Sequence, residues 1–271
     1  MTQKPLVLCD IDGATGVATL TLNRPEKKNA LSVALIRELI AAIRGLYDHQ
    51  DVHCIILDAA GDSFCAGRDL HELRADLRKK VRFGDESETA MGVVRVLREA
   101  PQITIACVEG YCLGGGLAVL NGCDLAIAAE DAQIGMPEIL RGSYGRSATP
   151  TLFHARIPIK QAFLIQLTGH NLSGTEAARI GLVSKAVPRD ALRTETRALA
   201  AEIASRNPVT LEHAKIAAYT EMDLPFDLAV KADEAISHRQ KFHTDPLADV
   251  EGYLASQRGG ANPRYRATKK A

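Results

Sequence analysis

The stretch EGYCLGGGLAVLNGCDLAIAAEDAQIGMPE, residues 109–138, decides how this chain is read. It follows an apolar run, Ile103 to Val108, that reads as a buried strand. Three glycines, Gly114, Gly115 and Gly116, lead from there into the apolar Leu117-Ala118-Val119-Leu120. The order is strand, glycine turn, helix start. Glycine there permits positive φ and a close approach to the main chain. The first N–H groups of the helix lack intrahelical acceptors, so they form a donor site for an anion or a developing oxyanion. Met136-Pro137-Glu138 then sets a carboxylate beside a rigid proline. The functional reading is a pair of oxyanion donors facing a general base. The bland reading is a tight turn and a solvated glutamate.

A second loop upstream tips the balance. Val52 to Asp58 reads as another buried strand and runs into AAGDSFCAGRDL, residues 59–70, with a helix expected from about Leu70. Two strand–glycine loop–helix units in succession predict an α/β fold, a spiral of repeated β–β–α units. At the N-terminus, Leu6 to Asp10 and Val17 to Leu22 read as a hairpin with Asp12-Gly13 in the turn. A polar loop follows, and Ser32 is a good N-cap for a helix carrying Leu35, Ile36, Leu39, Ile40, Ile43 and Leu46 on one face. Arg74 to Glu88 is dense in charge and reads as a flap or a solvated helix end; Thr89 to Arg98 reads as a helix ended by Pro101.

Ile139 to Pro150 is turn-rich, and helical patterning resumes at Lys160 to Thr168. Ser173 caps a helix from Gly174 to Ile180, and Val183 to Val187 reads as a strand. Beyond Pro188 the pattern is helical: 191–205, 209–221, 226–242 and a short helix after Pro246, with a basic, loose tail beyond Arg266. The expected division is an α/β core over 1–188 and an α-helical C-terminal region over 189–271 that serves oligomerisation.

Lys and Arg (33) balance Asp and Glu (33), so no electrostatic pull toward nucleic acid or an anionic membrane is expected. No apolar run is long enough to span a bilayer, and the N-terminus does not read as a signal peptide. The six cysteines lack zinc-ligand spacing; free thiols in a reducing cytoplasm are the expectation, and no metal site. The absence of Trp argues against a carbohydrate or base-stacking surface. His71 and His154 have no partner in the pattern and receive no role.

LNRPEKKNAL (22–31), FCAGRDL (64–70), EGYCLGGGL (109–117) and GMPEI (135–139), in this order and spacing, resemble the crotonase superfamily of enoyl-CoA hydratases and isomerases. TDPLADVEG (244–252) and Arg258 look like that family's ending, so the resemblance covers nearly the whole chain. It implies a crotonase-like spiral, a C-terminal region that builds a homotrimer or a hexamer, and an acyl-CoA thioester substrate. Coenzyme A would be part of that substrate and no separate cofactor is implied. The implied oxyanion hole is the backbone N–H of Arg68 and of Gly115, and the implied acid–base residue is Glu138. The implied substrate- and CoA-binding positions are Lys28 and Ala30 in the first loop and Ala66, Asp69 and Leu70 in the second. Gly114, Pro137 and Arg146 complete that set.

The departures set the reaction. The family's hydratases use two glutamates; one position is Ala118 here and the other is Glu138. A further acid position found in some relatives is occupied by Arg146, which reads either as a cation for a substrate carboxylate, tuning Glu138, or as a surface arginine. A single carboxylate can remove a proton from one carbon and return it to another, so isomerisation is expected ahead of hydration. The alternatives on this fold are a hydratase (lyase), a decarboxylase or a thioester hydrolase. A non-catalytic member would be expected to lose Gly115 or every acid, and both Gly115 and Glu138 remain.

Overall fold

The computed structural model describes residues 4–79 and 88–258. Part of the expected flap (80–87) and the basic tail beyond 258 lie outside the described residues. A six-stranded sheet forms the centre. Its strands are β1 (Val7–Asp12), β2 (Val17–Leu22), β3 (Cys54–Ala59), β4 (Ile103–Val108), β6 (Leu125–Ala129) and β9 (Lys185–Val187), in the order β1-β2-β3-β4-β6-β9. Only β1 and β2 pair antiparallel; the others are parallel. The β1–β2 turn is longer than an Asp-Gly pair: Asp12 accepts from Ala14 N and Thr15 Oγ1, and Gly16 closes it at φ 72.

A smaller sheet is made of β5 (Tyr111–Leu113), β7 (Gln133–Gly135) and β8 (Leu172–Ser173). Two single-residue parallel bridges, Leu31 with Arg68 and Cys65 with Cys112, continue the same pattern through the earlier loops. Each turn of chain therefore lays one strand in the large sheet, a short extended piece beside the last one, and a helix. This is the expected spiral, observed as a pairing pattern.

The helices follow the capping chemistry. In α1 (Val33–Gly45) the Ser32 side chain accepts from Leu35 N at 3.2 Å, and the helix buries the apolar stripe predicted for it. α2 (Leu70–Lys79) and α3 (Ala90–Glu99) separate β3 from β4, and α4 (Gly115–Gly122) follows β5. A 3-10 turn at Pro137–Arg141 and α5 (Ala148–His154) occupy the stretch read as loop, so α5 was missed. α6 (Ile159–Thr168) and α7 (Gly174–Arg179) come next, α7 opened by a capping box between Ser173 and Glu176.

α8 (Leu192–Ala204) packs on the large sheet with Leu192, Ala200 and Ala204 in its core. Arg193 fastens it there, bonded to Asp58 at 3.0 Å and to Glu109 at 2.8 Å. α9 (Pro208–Glu221), α10 (Phe226–Lys241) and α11 (Pro246–Arg258) complete the chain. No helix among the described residues is long and apolar enough to cross a membrane. Five of the six free cysteines are buried; burial pushes the thiols of Cys54, Cys65 and Cys107 up to about 12. Such thiols stay protonated and behave as small core residues.

α9 is held by a buried cation. Lys215 Nζ lies 2.8 Å from Asp124 Oδ2 and donates to the carbonyls of Leu97 and Gln102 at 2.8 and 2.9 Å. Asp124 in turn accepts from Thr104 and from the Tyr219 hydroxyl. Removing one partner of a buried pair leaves a desolvated charge. Lys215→Ala is expected to lower the unfolding free energy by about 3 kcal/mol. Urea denaturation measures it, and a loss below about 1 kcal/mol would show that water reaches Asp124.

Candidate active site

β3 and β4 are parallel neighbours, so the segments leaving their ends, 60–70 and 109–117, run side by side. Each carries a glycine at the point of closest approach. Gly67 has φ 89, and a Cβ on it would stand 2.6 Å from the Leu113 carbonyl and 3.3 Å from Gly115 N. A Cβ on Gly115 would stand 3.5 Å from Arg68 N. The amide nitrogens of Arg68 and Gly115 are thus brought together. The Gly114 carbonyl accepts from Ala118 N at 3.0 Å inside α4, so the Gly115 N–H, on the other side of the same planar peptide, points out of the helix end.

Glu138 comes from the 3-10 turn that Pro137 opens after β7. Its carboxylate lies against the Cα of Gly114: a Cβ there would sit 1.9 Å from Oε1. On another side it meets Gly145, whose Cβ would stand 3.6 Å from Cδ. Oε2 is buried and has no hydrogen-bond partner among the described residues. Burial pushes the Glu138 carboxyl above its ordinary value, partly offset by its own backbone amide and by Arg141.

Arg68, Gly115 and Glu138 all line one cavity of about 900 Å³. Ile36, Leu73, Leu77 and Met91 give it an apolar wall. Among the described residues two further carboxylates reach it, and both are engaged: Glu72 accepts from Val33 N at 2.9 Å, and Glu88 pairs with Arg37. Two convergent N–H donors stabilise charge that develops on an oxygen, and a desolvated carboxylate beside them is suited to moving a proton.

The enoyl-CoA hydratase/isomerase family model matches residues 12–255. The chain belongs to the enoyl-CoA hydratase/isomerase family. It is 36% identical over 224 residues to a probable mitochondrial enoyl-CoA hydratase of Dictyostelium discoideum, covering 82% of this chain and 79% of that one. It is 35% identical over 207 residues to the hydroxycinnamoyl-CoA hydratase-lyase of Pseudomonas fluorescens, covering 74% of each. The crystal structure of an enoyl-CoA hydratase from Mycobacterium smegmatis superposes with a TM-score of 0.84 at 28% identity, covering 97% of this chain and 100% of that one. An enoyl-CoA hydratase from Bacillus anthracis superposes equally well, with the same identity and coverage. These neighbours share the crotonase fold.

Within this family member, the residues expected at the site fall into three groups. Arg68, Leu70, Gly115, Glu138 and Arg146 line the cavity together, and Gly114 and Pro137 adjoin it through Glu138. Lys28 and Ala66 are occupied with the loops: Ala66 N donates to the Lys28 carbonyl at 2.9 Å, and the Lys28 ammonium sits 4.4 Å from the Tyr111 ring centroid. Ala30 accepts from Arg24 at 3.0 Å.

Asp69 is not among the residues that line the cavity, and its carboxylate is engaged by its neighbours. It bonds Arg24 at 2.7 Å and caps α2 by accepting from His71 N and Glu72 N. Burial raises its pKa, but the Arg24 bond and the two amides outweigh burial and hold it below the ordinary value. The pattern Asp-x-x-Glu over 69–72 carries this capping signal in the sequence. Arg141 is a cation that lowers the Glu138 pKa, and Arg146 lines the same cavity. The Arg68 guanidinium pairs with Asp76 at 2.7 Å. Ala118 is fully buried, and it is not part of the cavity wall. Arg141, Ser143, Leu73 and Met91 were not assigned to the cavity from the sequence; Leu77 falls in the 74–88 stretch expected to line the pocket, and helical spacing is the signal for the leucines on α2 and for Met91 on α3.

Gly114 adopts φ 52 and ψ −108, where a side chain is strained. Gly114→Ala is expected to push Glu138 off the glycine and cut turnover by about 10²-fold, with a stability loss of about 1–3 kcal/mol. Steady-state kinetics beside thermal melts separate the two effects. Unchanged kcat would detach Glu138's position from activity.

Proposed function

We propose that the chain acts on a coenzyme A thioester by single-base proton transfer. The Arg68 and Gly115 N–H groups hold the thioester oxygen. Glu138 takes a proton from the carbon activated by that carbonyl, the electron pair moves onto the oxygen as an enolate, and the proton returns at a different carbon. The net change is migration of a double bond. The observation that carries this reading is the single open carboxylate. Glu138 presents an unpartnered buried oxygen, whereas Glu72 and Glu88 are tied and position 118 holds a buried alanine. Water addition needs a second group to orient water, and the cavity offers no other untied carboxylate among the described residues. The apolar wall favours an uncharged acyl group. The hydratase names of the relatives favour water addition as the second reading.

The two readings separate in one assay. With a panel of 2- and 3-enoyl-CoA thioesters, migration moves the double bond at constant mass, and hydration adds one water. Hydration faster than migration would overturn the single-base reading.

Glu138→Gln is expected to leave binding of a saturated acyl-CoA intact and to lower kcat by about 10²–10⁴-fold. The parent's rate should fall as pH drops through the raised Glu138 pKa, on a limb displaced above the ordinary 4.5. The same shift has a stability sign. The fold favours the protonated acid, so stability declines as pH rises from 4.5 through the raised value. Glu138→Gln should therefore melt higher than the parent at neutral pH, with the difference vanishing below 4.5. An equal or lower melting point at pH 7 would contradict the burial argument.

We also propose that the chain assembles into a trimer or a dimer of trimers. Phe226, Phe242 and Leu247, on or beside α10 and α11, are largely exposed, which supports burial against other copies. Sedimentation at micromolar concentration should give three or six chains; a monomer would contradict it.

A further inference from the structure

The loop 23–31 reaches the cavity only through Leu31, yet its polar groups are heavily engaged. Arg24 Nη1 donates to the Ala30 carbonyl at 3.0 Å and to Asp69 Oδ2 at 2.7 Å. Asn29, at φ 53 and fully buried, accepts from Arg24 N at 2.9 Å. Its amide also donates to the Ala60 and Ser63 carbonyls at 2.9 and 2.8 Å. Beside these fastenings Leu31 pairs with the second loop. Leu31 N donates to the Gly67 carbonyl at 2.7 Å, and the Leu31 carbonyl accepts from Asp69 N at 3.0 Å.

A trans peptide points its C=O and N–H in opposite directions. Fastening the Gly67 carbonyl to Leu31 therefore turns the Arg68 N–H away from the Leu31 backbone. Gly67, at φ 89, can rotate more freely than any other residue type, so this peptide plane needs an external hold. Leu31 supplies the hold, and Leu31 is placed by its neighbour Ala30, which Arg24 ties to Asp69.

We infer that Arg24 and Asp69 are positioning residues for the oxyanion donor, clamping the Ala30–Leu31 segment so that the Gly67–Arg68 peptide presents its N–H to the substrate oxygen. The inference rests on the proposed oxyanion role of that N–H. Arg24 suits the task because its rigid planar guanidinium sets the direction of both bonds; a lysine ammonium, a point charge on a flexible four-carbon stem, fixes no such plane.

The test reads carbonyl polarisation directly. The probe is a 2-enoyl-CoA with an aryl ring conjugated to its double bond, bound to Glu138→Gln so that it does not turn over. Two donors on the thioester oxygen should shift its absorbance to longer wavelength on binding. Adding Arg24→Met should reduce that shift by half or more, and Arg24→Met alone should lower kcat by about 10–10²-fold with KM changed less than about threefold. Asp69→Asn, which keeps a helix-capping acceptor and loses the charge, should fall between the two.

All variants are read at a temperature where circular dichroism shows them folded. If Arg24→Met does not fold, Arg24→Lys and Asp69→Asn are judged by the same criteria. A full red shift and parental kcat in the folded variants would overturn the positioning role and leave the oxyanion reading standing. No red shift in Glu138→Gln itself would overturn the oxyanion reading and this inference with it.

Discussion

Parallel pairing of β2, β3, β4 and β6 is the constraint on which everything else depends. A parallel strand can be added only after the chain crosses back to the starting end, so every pair needs a long connection. Here the connections from β2 as far as β9, which pairs parallel with β6, carry α1 to α7, the second sheet and all the residues of the site. The register sets the consequence. Leu57 of β3 lies beside Ala106 of β4, so the chain leaves both strands at neighbouring points. Cys65 then bridges Cys112, and the glycine turns that follow meet across a gap too small for any side chain. Two donors far apart in sequence converge because the sheet delivers their loops in parallel.

Convergence alone would leave the loops free to twist. Their polar contents counter this: Asn29, Asp69 and Arg24 satisfy backbone groups that strand pairing does not reach. Each such bond contributes only about 1 kcal/mol net, but an unmet buried partner costs about 1–3 kcal/mol. The network is therefore strongly selective for one loop arrangement. Glu138, by contrast, has one buried oxygen left unmet among the described residues. A carboxylate whose desolvation is only partly offset is biased toward protonation, which is the state change a proton-transfer residue has to make.

The large sheet was legible because its strands are short apolar runs bounded by turn residues, and α1 was legible because Ser32 precedes an apolar stripe of helical period. The glycine turns that bring the amides of Arg68 and Gly115 together were legible as glycine-containing loops between strand and helix. Side-chain direction was less so. Asp69 is a binding position only by the family resemblance; its carboxylate is taken by Arg24, 45 positions earlier, and by two amides of α2, a pairing that spacing alone does not reveal. α5 was hidden because Ser147-Ala-Thr-Pro150 carries turn composition; its helix is held by Thr151 and Leu152 packing into the core, a tertiary effect. Arg141 was not singled out because it lies in a turn-rich stretch, and its place beside Glu138 follows from the 3-10 turn over Pro137–Arg141.

The position of Glu138 has one more consequence. Its carboxylate rests on Gly114, and the proposed donor belongs to the next residue, Gly115. Base and donor are therefore separated by a single peptide unit of α4's first turn. Any movement of the helix end carries the donor and the surface supporting the base together. For a thioester whose oxygen accepts from Gly115 N–H, the carbon next to the carbonyl is only two bonds from that oxygen, so the base faces it at a distance set by one rigid peptide. A side chain at 114 would fill the space the carboxylate occupies, and one at 145 would collide with Met136 Cε at 2.4 Å beside it. Glycine at these positions shortens the path between acid–base group and oxyanion donor, and that short path keeps the two in register without a hydrogen bond between them.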